Sequence, residues 1–141
     1  MAVSQISVFI ENQLGRLVEI LEFLAEEHIN LRAYSVAETS DFGVMRMIVQ
    51  DTDAALTAFK VKGFTAKKTD ILCVVVNDIP GATVETFRLL KRAGIEVEYT
   101  YAFSQPEANQ ALLLLRVSDL PRAEELLSAA GIRLAAHGDI F

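Results

Sequence analysis

The chain has 141 residues, 52% of them apolar, with a formal net charge of −6, three prolines and one cysteine. That length suffices to bury a core in one domain or two small ones, and the apolar content excludes long disorder. The acidic balance argues against a protein built to hold nucleic-acid backbones, and a single cysteine excludes an internal disulfide framework.

In the first half, Ile6, Val8 and Ile10 alternate with Ser7 and Phe9, which predicts a strand. The stretch ENQLGRL (11–17) follows. Leu17, Ile20, Leu21 and Leu24 then mark the apolar stripe of an amphipathic helix that ends near EEHIN. NLRAYSVAE and VMRMIVQ, joined by TSDFG, predict a hairpin. DTDAALTAFKVKG opens on capping residues, turns Ala55, Leu56 and Phe59 inward and stops at Gly63. FTAKKT reads as a short fourth strand.

The second half repeats that order. DILCVVVN predicts a strand, NDIPGAT (77–83) a loop, and the next segment a helix with Val84, Phe87 and Leu90 inward and Gly94 at its end. In IEVEYTYAF, Val97, Tyr99, Tyr101 and Phe103 share one face. SQPEAN turns the chain into QALLLLRVS. DLPRAEELLSAAG is a capped helix with Pro121 in its first turn and Ala123, Leu126, Leu127 and Ala130 inward. IRLAAH closes the unit. Gly81 follows Gly15 by 66 positions, whereas Asp119 follows Asp51, and Gly131 follows Gly63, by 68.

The pattern is therefore βαββαβ written twice, an α+β chain with a first domain over 1–69 and a second over 70–141. Each copy is ferredoxin-like, an antiparallel sheet with both helices on one face. ILCVVV and ALLLLRV are apolar on both faces, so the second face needs a cover. Packing between copies or between subunits supplies one, and a homodimer is expected.

A glycine between strand and helix permits a tight turn, and the helix N-terminus behind it suits a carboxylate or phosphate. Asn12, just before the turn, would complete a polar cradle. On spacing alone a plain βα turn fits equally well.

NQLGRL after a strand, inside a doubled βαββαβ pattern, resembles the ACT domain, a small-molecule sensor of amino-acid metabolism. The resemblance covers nearly the whole chain and is closest to stand-alone tandem ACT proteins. It implies a free amino acid bound where the first loop meets a neighbouring domain. Asn12 and Asn30 match the asparagines that contact the ligand in serine-sensing members, and Gln13, Leu14, Gly15, Arg16 and Leu17 form the loop around it. Ile10 and Leu14 depart from those members, which place histidine and proline there, so serine is not the implied ligand. In the second copy the corresponding loop is Asn77, Asp78, Ile79, Pro80, Gly81 and Ala82, with Asp78 and Glu96 at the asparagine positions. Carboxylates there would repel a ligand carboxylate and welcome an ammonium.

Rival chemistries are weaker. His28 suits the end of the first helix, His137 has no metal-type spacing to another ligand, and Asp51 and Asp53 open a helix. No nucleophile elbow, HExxH, CxxC or phosphate loop occurs, so no catalytic residues, metal or cofactor are expected and the chain reads as no enzyme. KGFTAKK (62–68) begins like an RNA-recognition motif but carries one aromatic in an acidic protein. Arg88, Lys91 and Arg92 read as a solvated patch. Cys73 lies inside an apolar run as a buried thiol suited to a reducing compartment. The start lacks the pattern of a signal peptide, and no run approaches the roughly 20 apolar residues of a membrane span. The expectation is a cytoplasmic regulatory protein that binds a free amino acid, contacts neither nucleic acid nor membrane, and passes its signal to a separate effector. The alternative is a ligand-free module that dimerises through its sheets.

Overall fold

The structure is a computed structural model and describes residues 2–11, 14–38 and 41–141. Among these, two compact units emerge, one within residues 4–69 with Phe141, the other of residues 2–3 with 70–140.

The first unit contains β1 (Val3–Glu11), α1 (Arg16–Glu26), β2 (Ala33–Glu38), β3 (Phe42–Ile48) and α2 (Thr52–Lys62). Its strands pair antiparallel in the order β2-β3-β1. The register sets Ile6 opposite Met47 and Val8 opposite Met45, so the alternating apolar residues of both strands share one face. That face packs on Ile20, Phe23 and Leu24 of α1 and on Ala55 and Phe59 of α2. The α1 stripe is Ile20–Phe23–Leu24, with Leu21 exposed rather than inward. The reason is aromatic: Phe23 lies 5.2 Å from Phe59 and 5.5 Å from Phe64, centroid to centroid, a cluster that brings Phe23 into the stripe beside Ile20 and Leu24.

FTAKKT and DILCVVVN do not form separate strands. They run together as β4 (Ala66–Asn77), because no glycine or proline interrupts them and valines and isoleucine favour extension. The second unit continues with α3 (Val84–Arg92), β5 (Val97–Gln105), a 3-10 turn at Pro106–Ala108, β6 (Gln110–Val117) and α4 (Leu120–Ala129). Here the strand order is β4-β6-β5, again antiparallel. Leu72, Val74, Leu113, Leu115 and Val117 pack on Leu90, Ala123 and Leu127. Ile71, Cys73, Leu112 and Leu114, on the opposite face of β4 and β6, are buried too.

Four expectations in this half are corrected. Val84, at the first turn of α3, is exposed and Thr86 takes the inward position beside Leu90. Ala130 is exposed at the α4 cap. A bulge between Val97 and Tyr99 breaks the single face expected for β5. Val97 stands opposite Val117 on the helix side, whereas Tyr99, Tyr101 and Phe103 stand opposite Arg116, Leu114 and Leu112 on the other. Finally, IRLAAH yields one bridge, Val74 to Leu134, before a 3-10 turn at His137–Ile140.

The repeat is legible in single hydrogen bonds. The Phe9 N–H donates to the Thr65 carbonyl at 2.9 Å, and the Val75 N–H to the Arg133 carbonyl at the same distance.

Candidate functional site

The four α-helices among the described residues begin in two different ways. Asp51 and Asp119 cap α2 and α4, each accepting the backbone N–H three residues on, from Ala54 at 3.1 Å and Arg122 at 3.2 Å. The glycine loops lead into α1 and α3, and these have no side-chain cap: α1 starts on Gly15 and α3 on Thr83, whose hydroxyl makes no capping bond. Gly15 has φ 88° and Gly81 φ 82°, the left-handed region where a side chain is strained. A Cβ at either would meet no atom of the chain within 4 Å, so glycine serves the turn and leaves open space above it.

The first loop adjoins a cleft of about 460 Å³. Phe9, Phe42 and Phe64 line it together with Ile10 and Ile20, and Glu11 and Arg16 supply its charges. The Arg16 guanidinium binds Glu19 Oε2 at 3.0 Å and Glu11 Oε2 at 3.3 Å. The hydrogen bond and charge of Glu19, then the charge of Glu11, hold Arg16 above its ordinary pKa.

Asn12 and Gln13 lie outside the described residues. Leu14 and Gly15 are exposed, Arg16 lines the cleft, and Leu17 packs half-buried on the core. Asn30 sits at the far end of α1, in a separate cleft of about 390 Å³ with Glu27, His28, Gln50 and Asp51. Eleven helical residues, about 16 Å, separate it from the glycine loop.

The second loop uses its own donors. The Asp78 N–H donates to Asn109 O at 2.9 Å, Ile79 N–H to Asn77 O at 2.9 Å, and Ala82 N–H to Ile79 O at 3.3 Å. Asn77 stands opposite Gln110, and Pro80, Gly81 and Ile79 are exposed. The shallow groove nearby, about 340 Å³, is lined by Thr83, Val84, Phe87, Arg88 and Lys91 of α3 and the residue before it. Glu96 lies in another cleft past the C-terminal end of α3, repeating the placement of Asn30.

Phe9, Glu11, Phe42 and Phe64 are cleft residues that the sequence reading did not select. One signal was present: Phe9 is an aromatic residue on the polar side of an alternating strand. The proximity of Phe64 to β1 is tertiary and leaves no local trace.

Other candidates resolve simply. His28 follows the α1 cap with φ 55°, and its N–H donates to Ala25 O at 3.1 Å, a helix-ending position. Asp53 pairs with Lys68 at 2.9 Å. Among the described residues no group of His, Cys, Asp and Glu is placed to hold a metal, and no helix is long and apolar enough to cross a membrane. Burial, and secondarily the charge of Asp139, pushes the Cys73 thiol up to about 12.

Comparison with known proteins gives four findings. A family described as the ACT domain pair matches residues 1–140. The crystal structure of protein BT0572 from Bacteroides thetaiotaomicron is 37% identical, with a TM-score of 0.92 over 99% of this chain and 96% of that one. The ligand-free regulatory subunit of aspartate kinase from Thermus thermophilus shares the fold at 18% identity, with a TM-score of 0.65 over 91% of this chain and 90% of that one. A comparison with curated proteins gave no match.

Proposed function

The chain belongs to the ACT domain pair family, and from that premise we propose that it senses a free amino acid and answers by changing its assembly. ACT domains are ligand-binding regulatory modules, and no catalytic family accompanies the match. The observation that carries the reading is the contrast among helix starts: aspartates cap α2 and α4, while α1 and α3 begin behind glycine loops without a side-chain cap. Backbone N–H groups that no side chain caps at a helix start are donors for a carboxylate, although at α3 the Val84 N–H already donates to the Gly81 carbonyl at 3.1 Å.

The site extends over Asn12, Gln13, Leu14, Gly15, Arg16 and Leu17, with Asn30 of a second copy of the chain completing it. That division follows from distance, since Asn30 is a helix length from its own loop. The second loop, Asn77–Ala82, is a poorer anion site, because Asp78, Ile79 and Ala82 already spend their donors within the loop or on Asn109.

The partner is a second copy of the chain. β2 is the outer strand of the first unit, and Tyr34 and Val36 on it are exposed. An antiparallel pairing of β2 with itself about Ser35 sets Tyr34 opposite Val36, Ala33 opposite Ala37, and Arg32 opposite Glu38. Such a strand is self-complementary in both apolarity and charge. A ligand that touches both copies favours the dimer by no more than its differential affinity for that state. The chain acts on a separate effector, in the cytoplasm, without cofactor, nucleic acid or membrane; its buried thiol suits that reducing compartment.

A thermal-shift panel of the common amino acids, run alongside sedimentation, tests this. Saturation at a hundred times Kd adds about 2.7 kcal/mol to stability. The expected result is a selective shift lost in Asn12→Ala, with a dimer that Tyr34→Lys dissociates. A well-folded dimer insensitive to every amino acid would instead favour a ligand-free module that dimerises through its sheets.

A further inference from the structure

We propose that Glu11 and Arg16 clamp the ammonium and carboxylate of an α-amino acid whose large apolar or aromatic side chain fills the cleft among Phe9, Phe42 and Phe64. The inference rests on the amino-acid reading above and names the class of ligand.

The two charged groups are already matched to such a ligand. Glu11 Oε2 and the Arg16 guanidinium stand 3.3 Å apart, with side chains 71% and 40% exposed, so the pair is weak and opens at little cost. A zwitterion inserted between them gives each ion a new partner of opposite sign. The guanidinium presents its planar fork to the carboxylate. Glu19, bound to its other terminal nitrogen at 3.0 Å, keeps the fork oriented while Glu11 turns to the ammonium.

The rings explain the side chain. Phe9 and Phe42 are 47% and 49% exposed, an unusual state for two aromatics on neighbouring strands. The register places Phe42 opposite Glu11 and Phe9 opposite Val44, so both rings point to the sheet face away from the helices, on the same side as Glu11. With Phe64 they border a cleft of about 460 Å³, within the range of small-molecule sites. An apolar side chain covers those rings, whereas serine leaves them wet. Two carboxylates against one guanidinium leave an excess negative charge that disfavours aspartate and glutamate.

Titration calorimetry on the whole chain tests the assignment with L-phenylalanine, L-leucine, L-serine, L-aspartate, L-lysine and N-acetyl-L-phenylalanine. Phenylalanine and leucine are expected to bind at least tenfold more tightly than serine, aspartate or lysine. Arg16→Gln, Glu11→Gln and Phe42→Ala are each expected to weaken phenylalanine at least tenfold, with unchanged circular dichroism. The acetylated ligand, lacking an ammonium, is expected to bind weakly and to be indifferent to Glu11→Gln. Serine, aspartate or lysine as the tightest ligand overturns this proposal and leaves the amino-acid reading intact. Phenylalanine binding that survives both charge variants overturns the clamp. Binding of none of these ligands, nor of any other common amino acid, overturns both.

Discussion

His28 holds a conformation its side chain resists. It follows the α1 cap with φ 55°, and the equivalent residue 66 positions later is Gly94, with φ 71°. The next residues make matching bonds, Ile29 N–H to Leu24 O at 2.8 Å and Ile95 N–H to Leu90 O at 3.0 Å. Glycine adopts this geometry without steric penalty. His28→Gly is therefore expected to raise stability by about 1 kcal/mol in urea melts; an unchanged or lower midpoint would show that the imidazole contributes more than the strain costs. Cys73 is the other residue with a distinct physical signature. Its folded pKa is raised from 9.0 to about 12, so its contribution is complete below pH 9 and is lost as pH rises towards 12. Comparing wild type with Cys73→Ala across that window should show the wild type losing more stability. Native protein at pH 8 should also react with a thiol reagent only as fast as it opens.

Among the elements, the two aspartate caps invite a paired measurement. Asp51→Ala and Asp119→Ala each remove one side-chain acceptor at a helix start, and each is expected to cost about 1 kcal/mol. Equal losses would mark the caps as equivalent; a loss at only one would mean that the other helix is held by packing alone. Element order was legible in the sequence because strand alternation and helical stripes are local patterns. What it hid depends on contacts between distant residues. Phe23 displaced Leu21 from the α1 face because Phe59 and Phe64 wait beside it. The β5 bulge moved Tyr99, Tyr101 and Phe103 to the far face because β6 sets the register, and no residue of β5 announces that shift. The same division runs through the site. The glycine turns were visible as spacing, but the cleft beside the first of them assembles from β1, β3, the start of α1 and the segment after α2, which only folding brings together.

For the whole molecule, the repeat separates what the backbone needs from what recognition needs. Gly15 and Gly81, Gly63 and Gly131, and Asp51 and Asp119 keep the same conformations or bonds in both copies. Around the loops the copies differ: Arg16 with Glu11 beside the first, Asp78 with a self-bonded backbone in the second. A change that alters the sensing chemistry of one copy therefore leaves the other copy's turn and caps untouched.

The uncapped starts of α1 and α3 carry a historical consequence. A duplicated gene begins with two identical copies, and one working copy releases its twin from selection on ligand while selection on folding persists. The turn glycines answer to folding and so survive in both, whereas the side chains over the open space above them are the part of the protein at liberty to acquire a new specificity.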